Sequence, residues 1–191
     1  MLLAPAAYAV IAYVLASRLA YVLFVGIALR RQERAAVFTR DAGVARGFRR
    51  FRRIAAAVMY NDAAAFILLC YVTRDTLAAP VPRSVAVGAG LALALIGLGI
   101  KLWAARTLGA DAYYWYNFFE PAPAGSRTPV SAGPYRFASN PMYTIGYLQT
   151  YGLALILASW PGLLAAVFAH AAILVFYVVV EKPHFERLHR S

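Results

Sequence analysis

Cysteine and histidine are scarce in this chain, and each scarcity limits the chemistry that the protein can perform. Cys70 is the only cysteine among 191 residues, so no disulfide can form within the chain. It lies in an apolar run, which predicts an inert packed thiol. Of the 3 histidines, His184 and His189 are five residues apart and do not share a helix face, so we expect no metal site. His170 lies inside an apolar stretch, where we predict a packing hydrogen bond.

Charge is sparse as well, because charged residues make up 14% of the chain and hydrophobic residues 62%. Soluble domains are typically about half apolar, so this composition predicts an integral membrane protein. Five stretches approach the ~20 apolar residues that a membrane-spanning helix needs. They are residues 4–29, 54–72, 81–104, 142–158 and 163–180. The predicted fold is all-α, an integral membrane helical bundle of about five transmembrane helices with a C-terminal helical hairpin.

The positive charge lies mainly between the first two apolar stretches. Residues 30–53 contain nine arginines against Glu33 and Asp41, within a formal net charge of +11. Positively charged loops stay in the cytoplasm, which predicts an N-terminus outside, a C-terminus inside and a functional site facing the cytoplasm. The phenylalanines of this loop also fit a helix lying on the inner membrane surface. A charge cluster that only sets the topology explains the loop equally well.

Arg18 interrupts the first apolar stretch, and Asn61 and Asp62 interrupt the second. Asp62 lies nine residues from Arg53, about 13 Å deep, and Arg18 lies twelve residues from Arg30, about 18 Å deep. Intramembrane charges usually face a partner or a wet cavity, so we predict an Arg18–Asp62 pair. Two roles are open: a pair that only fixes helix packing, or part of a substrate pocket that includes Asn61.

A polar segment with two prolines precedes the fourth apolar stretch. Asn140 stands before Pro141, and this order predicts an N-cap followed by proline at the first helical position. The helix would then begin at Pro141 and present free N–H groups, which suit an anion. An ordinary capped helix explains these two residues, but not the Gly133-Pro134-Tyr135-Arg136 that precedes them.

Glu181 ends the fifth apolar stretch, and the similar lengths of the last two stretches bring it level with Asn140. A carboxylate at a helix C-terminus is locally unfavourable, so we expect a cationic partner. The candidates are Arg136, Lys182 and a bound ligand. An anion site beside a carboxylate suits a zwitterionic ligand, such as an amino acid group.

These motifs together resemble one enzyme family. They are Gly133-Pro134-Tyr135-Arg136, Asn140-Pro141-Met142-Tyr143, Gly146 and Val180-Glu181-Lys182-Pro183, preceded by Leu102-Trp103-Ala104-Ala105-Arg106-Thr107-Leu108-Gly109. The C-terminal half of the chain resembles the integral-membrane methyltransferases of the isoprenylcysteine carboxyl methyltransferase and phospholipid methyltransferase superfamily. The resemblance implies S-adenosylmethionine as cofactor, and residues 102–109 look like the family's segment that enters the same site.

By position, the resemblance assigns the cofactor cradle to Gly133, Pro134, Tyr135, Arg136, Asn140, Pro141, Tyr143 and Glu181. Residues 1–191 would form one membrane domain, in which residues 1–104 hold three spans with the basic loop 30–53 and residues 105–191 hold the cofactor region. Three positions depart from the family pattern: Ser139 replaces an arginine, Asn140 a histidine and Lys182 a second glutamate.

Aromatic residues are concentrated at positions 113–119, upstream of the motif that begins at Gly133. Such residues collect at membrane interfaces, so an anchoring belt is one interpretation. The other is a wall over the reaction centre in which Tyr114 and Trp115 attract a sulfonium or a methylated ammonium. We include both residues in the predicted substrate site.

The function implied by the resemblance is S-adenosylmethionine-dependent methyl transfer to a lipophilic membrane substrate, either a phospholipid headgroup amine or an isoprenylcysteine-like acceptor. Two alternatives stay open. An NADPH-dependent membrane reductase would use Lys182, Arg187 and Arg190 for the cofactor phosphates. A non-catalytic membrane protein of the same fold would explain the departures at Ser139 and Lys182. No nucleic acid or metal partner is expected.

Overall fold

The computed structural model describes residues 4–78, 81–120 and 131–190. Within these ranges every regular element is helical, and no β-strand occurs. The α-helices are α1 (Pro5–Ala35), α2 (Val44–Val72), α3 (Arg83–Leu108), α4 (Ala110–Tyr113), α5 (Leu148–Ile156), α6 (Trp160–Phe176) and α7 (Lys182–Arg190). Short 3₁₀ turns cover Tyr116–Phe118, Gly133–Arg136 and Ile145–Tyr147, and a π-helical turn, Tyr177–Glu181, joins α6 to α7.

Four helical segments in the described part of the chain are long and apolar enough to cross a membrane. They are Pro5–Ala35, Val44–Val72, Arg83–Leu108 and Trp160–Leu188. Large apolar side chains such as Leu95 and Val175 point outward, 69% and 61% exposed, as expected of surfaces that face lipid. The predicted all-α membrane bundle is confirmed.

The C-terminal hairpin forms, but its first arm is shorter than predicted. In place of a span over residues 142–158, the apolar helix covers Ile145–Ile156, about 18 Å at 1.5 Å per residue. The second arm begins at Trp160, where the Ser159 hydroxyl caps the helix by accepting a hydrogen bond from the Gly162 N–H at 2.9 Å. The turn therefore lies where the sequence predicts it, and only the arm lengths differ.

The basic segment of residues 30–53 does not form a separate surface helix. Instead α1 runs to Ala35 and α2 begins at Val44. The turn between them is closed by Gln32, whose side chain accepts a hydrogen bond from the Phe38 N–H and donates one to Thr39 Oγ1, both at 2.9 Å. Eight of the nine arginines therefore extend from the ends of two long helices, and Arg40 lies in the turn between them. The topological interpretation of the charge cluster stays a prediction.

Glycines allow α3 and α5 to approach within backbone contact. A Cβ atom added at Gly97 would lie 2.3 Å from the Gln149 backbone nitrogen, and one at Gly152 would lie 2.5 Å from the Gly90 carbonyl oxygen. Interfaces between membrane helices are commonly built from small residues in this way. The short helix α5 is therefore held against α3 by backbone packing.

We expect Gly97→Ala to destabilise the protein by about 1–3 kcal/mol, because the added methyl group has no room. The measurement is thermal unfolding in detergent. Gly99→Ala is the matched control, since Gly99 lies on the same helix with no atom within 4 Å of its added Cβ. Equal stability of the two variants would contradict the close crossing.

Two buried side chains behave as the sequence predicts. The thiol of Cys70 is buried in an apolar cluster with Leu69 and Ala166. His170 Nδ1 lies 3.1 Å from the Tyr151 hydroxyl, and the ring stacks on Tyr147 with centroids 4.8 Å apart. The packing roles predicted for Cys70 and His170 are confirmed.

Candidate active site

Glu181 lies at the centre of the candidate site. It closes the π-helical turn and is 6% exposed. Trp115 Nε1 and the Tyr143 hydroxyl both donate to Glu181 Oε1, each at 2.5 Å. The other carboxylate oxygen, Oε2, accepts no hydrogen bond from any described residue. Single π-helical turns occur frequently at functional sites, and this one directs a carboxylate into the bundle.

The cationic partner predicted for Glu181 is absent from the described residues. Lys182 instead forms a salt bridge with Glu186 at 3.9 Å on the exposed face of α7, and the Arg136 guanidinium lies 4.4 Å from the centre of the Phe137 ring. Glu181 is held by neutral donors because the hairpin brings α6 against Tyr143 and the aromatic segment. Of those candidates a bound ligand is left, and it would meet the open Oε2 of Glu181.

Pro141 does not begin a helix, contrary to the sequence prediction. The side-chain oxygen of Asn140 does accept a hydrogen bond from the Tyr143 N–H at 3.2 Å, and the backbone carbonyl of Asn140 accepts one from the Thr144 N–H at 3.1 Å. The turn then stops, because the Thr144 ψ of −89° is not helical. Gly146 can thereby reach α3, where its added Cβ would lie 3.5 Å from Lys101 Cβ. The N–H groups of Tyr143 and Thr144 are paired within this turn, so they do not form the predicted anion site of a helix N-terminus.

The Gly133–Arg136 turn packs on the end of α3. Gly133 has a φ of +56°, and a Cβ there would lie 2.5 Å from Thr107 Oγ1 and 3.1 Å from Trp103 Nε1, so a larger residue would clash. Pro134 is buried. The resemblance placed residues 102–109 beside this motif, and the structure brings them into contact.

Tyr135 carries a buried hydroxyl with no hydrogen-bond partner among the described residues. Burial raises the pKa of this phenol, and the negative charge of Glu181 raises it further. A buried polar atom without a partner is costly. Its hydroxyl is therefore available to a bound molecule on the side of the site that contains Glu181.

The aromatic segment divides into residues that line the site and residues that do not. Trp115 is 6% exposed, donates to Glu181 and packs against Phe176 with ring centroids 5.8 Å apart. Tyr114 instead lies 5.2 Å from the Arg52 guanidinium, near the basic segment. The two interpretations of this segment therefore apply to different residues.

Arg18 and Asp62 form the predicted ion pair, with Arg18 Nη2 2.5 Å from Asp62 Oδ2. Arg18 Nη1 also donates to the Tyr147 hydroxyl at 3.0 Å. Both charged residues line a cavity of about 330 Å³ that also borders Trp115 and Tyr143. Asp62 thus belongs to a pocket next to Glu181.

Asn61 lies outside this cavity. Its Nδ2 donates to Ser17 Oγ at 2.8 Å, and its Oδ1 accepts from the Tyr13 hydroxyl at 2.6 Å. These bonds join α2 to α1, so the structure gives Asn61 a packing role. The structure therefore gathers Asp62, Trp115, Tyr143 and Glu181 and leaves Asn61 and Tyr114 to one side.

Sequence reasoning missed Lys101 and Tyr147, which also line the cavity. Lys101 Nζ lies 5.7 Å from the centre of the Tyr147 ring. A lysine inside an apolar stretch is itself an indication of function, and this one was visible within residues 81–104. No cluster of three metal-ligating side chains occurs in the described part of the chain.

Known proteins related to this chain share the motif region. The sequence profile described as phospholipid methyltransferase matches residues 85–191, which is more than half of the chain. The chain belongs to this family. Phosphatidylethanolamine N-methyltransferases from Pyricularia oryzae and Aspergillus flavus are each 33% identical to this member, over 139 and 142 residues that make up 72% of its length. The enzyme of the same name from Arthroderma benhamiae is 37% identical over 102 residues, or 53% of the chain.

These fungal relatives are much longer than this family member. The matched region covers 14% of the Pyricularia and Aspergillus proteins and 10% of the Arthroderma protein. No solved structure matches the chain. The relationship thus covers the matched region alone.

The described residues of this family member fit S-adenosylmethionine, the cofactor that the family implies. The carboxylate of Glu181 has an oxygen without a donor, and the buried Tyr135 hydroxyl lacks a partner. An ammonium and a polar group of a ligand can satisfy these two atoms. Trp115 and Tyr143 donate to Glu181 and also line the adjoining cavity, and their aromatic rings would attract a sulfonium.

Proposed function

We propose that this chain transfers a methyl group from S-adenosylmethionine to the headgroup amine of a phospholipid. The observation that carries the proposal is the shared wall formed by Trp115 and Tyr143. Both side chains donate to Glu181, and both line the cavity that contains the Arg18–Asp62 pair. A donor site at Glu181 and an acceptor site in the cavity would therefore be neighbours.

In this proposal, Glu181 holds the amino group of the cofactor and Arg136 offers a guanidinium to its carboxylate. Arg136 replaces the helix N-terminus that the sequence predicted for this task, since the N–H groups of Tyr143 and Thr144 are already paired. Tyr135 contributes its unpaired hydroxyl. When bound, the cofactor would supply an electrophilic methyl group on a sulfonium sulfur.

The residues of the chain contribute mainly position and the exclusion of water. Methyl transfer is an in-line displacement, so holding the acceptor amine against the methyl group supplies much of the catalysis. Trp115 and Phe118 are nearly inaccessible to solvent, at 6% and 5% exposure, and they would keep water out of this space. The amine would have to reach the site unprotonated, so that its lone pair is free to accept the methyl group. The ammonium formed in this way could release a proton to water once it leaves the site.

We place the donor site on the cytoplasmic side of the membrane. The aromatic segment that contacts Glu181 packs against the basic end of α2, where Phe119 lies 5.3 Å from Phe48 and 5.1 Å from Phe51, centroid to centroid. Residues 30–53 carry nine arginines, and such segments stay in the cytoplasm. The N-terminus would then lie outside and the C-terminus inside.

The replacement of a second glutamate by Lys182 leaves the buried carboxylate of the proposed site in place. The Lys182 side chain is 56% exposed and pairs with Glu186, while its neighbour Glu181 is buried. Arg187 is likewise engaged, because it donates to Glu33 at 2.7 Å. Lys182 and Arg187 are therefore already paired, which disfavours their use for the phosphates of NADPH, whereas the side chain of Arg190 lies outside the described part of the chain.

The test is turnover by the purified protein in detergent with methyl-labelled S-adenosylmethionine. We expect label in phosphatidylethanolamine or its partly methylated products, and none in a prenylated cysteine offered in parallel. Binding of NADPH is measured on the same preparation. NADPH binding without S-adenosylmethionine binding would favour the reductase, whereas binding of neither would favour a non-catalytic protein.

Trp115→Leu should lower turnover at least about tenfold, because it removes both a donor to Glu181 and an aromatic wall. Tyr114→Leu is the control, since Tyr114 lies outside the cavity, and it should stay within about twofold of the unchanged protein. The measurement is the initial rate at saturating lipid, with membrane insertion checked for both. Equal rates for the two variants would leave the segment as an anchoring belt.

A further inference from the structure

Lys101 is a membrane-embedded cation without a counterion among the described residues. It lies seven residues before the end of α3, about 10 Å along the helix, and lines the cavity beside Arg18 and Asp62. The single carboxylate of that group, Asp62, is already paired with Arg18 at 2.5 Å. Together, these three side chains carry one net positive charge, which is costly in a membrane interior unless an anion neutralises it.

We propose that Lys101, supported by Arg18, binds the phosphodiester group of the lipid acceptor within this cavity. This inference rests on the proposed function, since it assigns the part of the same site that selects the acceptor. The cations are positioned for one anion, because they flank a single ring: Lys101 Nζ and Arg18 Cζ lie 5.7 and 6.0 Å from the centre of Tyr147.

Arg18 has a further hydrogen-bond donor to offer. Its Nη atoms are taken by Asp62 and the Tyr147 hydroxyl, but Nε is buried and has no partner among the described residues. Arginine binds phosphate oxygens well because its donors are fixed in one plane. An anion between Lys101 and Arg18 would satisfy this donor as well as the unpaired ammonium.

The walls of the cavity favour a lipid over a water-soluble anion. Ala63 and Ile67 of α2 line it and are also exposed on the surface of the bundle, Ile67 by 54%. A membrane surrounds that surface, so acyl chains can remain in the bilayer while the headgroup enters between the helices. Phe66 and Leu153 add further apolar lining.

Charges of opposite sign border the cavity, which would orient the headgroup. Lys101 and Arg18 leave a positive excess in its lining, and Glu181 accepts hydrogen bonds from two other lining residues, Trp115 and Tyr143. A zwitterionic headgroup would place its phosphate at Lys101 and its amine toward the Glu181 side. The amine would then face the methyl donor of the proposed function.

The test compares Lys101→Met with Lys101→Arg, and Arg106→Met is the matched control because it removes an exposed positive charge from the same helix. Lipid binding is measured in detergent by native mass spectrometry, with phosphatidylcholine as a phosphodiester lipid that accepts no further methyl group and diacylglycerol as a lipid without phosphate. We expect Lys101→Met to weaken phosphatidylcholine binding about tenfold or more. Lys101→Arg and Arg106→Met should stay near the affinity of the unchanged protein, and diacylglycerol binding should not change.

These outcomes separate the inference from the proposed function. Phosphate-dependent lipid binding that needs Lys101, in a protein with no methyl transfer, would support the lipid site and refute the methyltransferase proposal. Equal loss of phosphatidylcholine and diacylglycerol binding would overturn the inference, because a misfolded cavity loses both. Loss of S-adenosylmethionine affinity with unchanged lipid binding would also overturn it and assign Lys101 to the donor carboxylate.

Discussion

Glu181→Gln is expected to lower the affinity for S-adenosylmethionine by about 100-fold and methyl transfer with it, because a buried carboxylate that pairs with an ammonium contributes strongly to binding. Glutamine keeps the size of the side chain, and its oxygen can still accept the hydrogen bonds from Trp115 and Tyr143 that now reach Glu181 Oε1. The loss should therefore come from the missing charge. Isothermal titration with the cofactor gives the affinity, and labelled product gives the rate.

Glu186→Gln serves as the control for this change. Glu186 is five residues further along the same helical segment, 52% exposed at its side chain and paired with Lys182 at 3.9 Å. Its replacement should leave cofactor affinity within about twofold, since exposed ion pairs contribute little. Cofactor binding that survives in Glu181→Gln would remove Glu181 from the donor site.

Asp62→Ala should destabilise the protein by about 3–5 kcal/mol, because it leaves the guanidinium of Arg18 buried without its counterion. The side chains of Arg18 and Asp62 are 8% and 6% exposed, with 2.5 Å between Nη2 and Oδ2. The measurement is unfolding in detergent. Asp75→Ala is the matched control, since Asp75 pairs with Arg83 at 3.4 Å while 68% exposed, and it should cost less than about 1 kcal/mol.

A double variant decides which role the Arg18–Asp62 pair performs. Replacing both by apolar residues, Arg18→Met with Asp62→Leu, should restore most of the stability because no unpaired charge remains. If turnover also returns, the pair serves only helix packing. If stability returns while turnover stays low, the pair belongs to the substrate pocket, which is the result we expect from its place in the cavity.

Several parts of the site could be predicted because they depend on local chemistry or simple geometry. The Arg18–Asp62 pair followed from matched depth in two adjacent spans. The short turn between the last two apolar stretches predicted that Glu181 lies beside the start of the fourth stretch. The hydrogen bond from Tyr143 to Glu181 agrees with this prediction. The neighbourhood of Trp103, Thr107 and Gly133 followed from the family motifs.

Other parts depend on contacts between distant residues and could not be predicted. Asn140 caps a turn as expected, yet the α-helix starts only at Leu148, after the 3₁₀ turn Ile145–Tyr147, because Gly146 packs on α3 and the chain bends to allow it. Glu181 has neutral partners because the aromatic segment folds over the end of α6. Asn61 and Asp62 are neighbours in sequence, but the helix turns one toward Ser17 and the other into the cavity.

The sequence by itself determined the membrane environment, the helical class and the family, since long apolar runs and motif spacing are properties of the chain in order. Only the tertiary structure decided which polar groups meet in one space. It joined Trp115 to Glu181 across 66 positions and placed Lys101 beside Arg18. The reason is physical: hydropathy fixes where a helix lies in the bilayer, whereas its rotation and neighbours come from packing at residues such as Gly97 and Gly152.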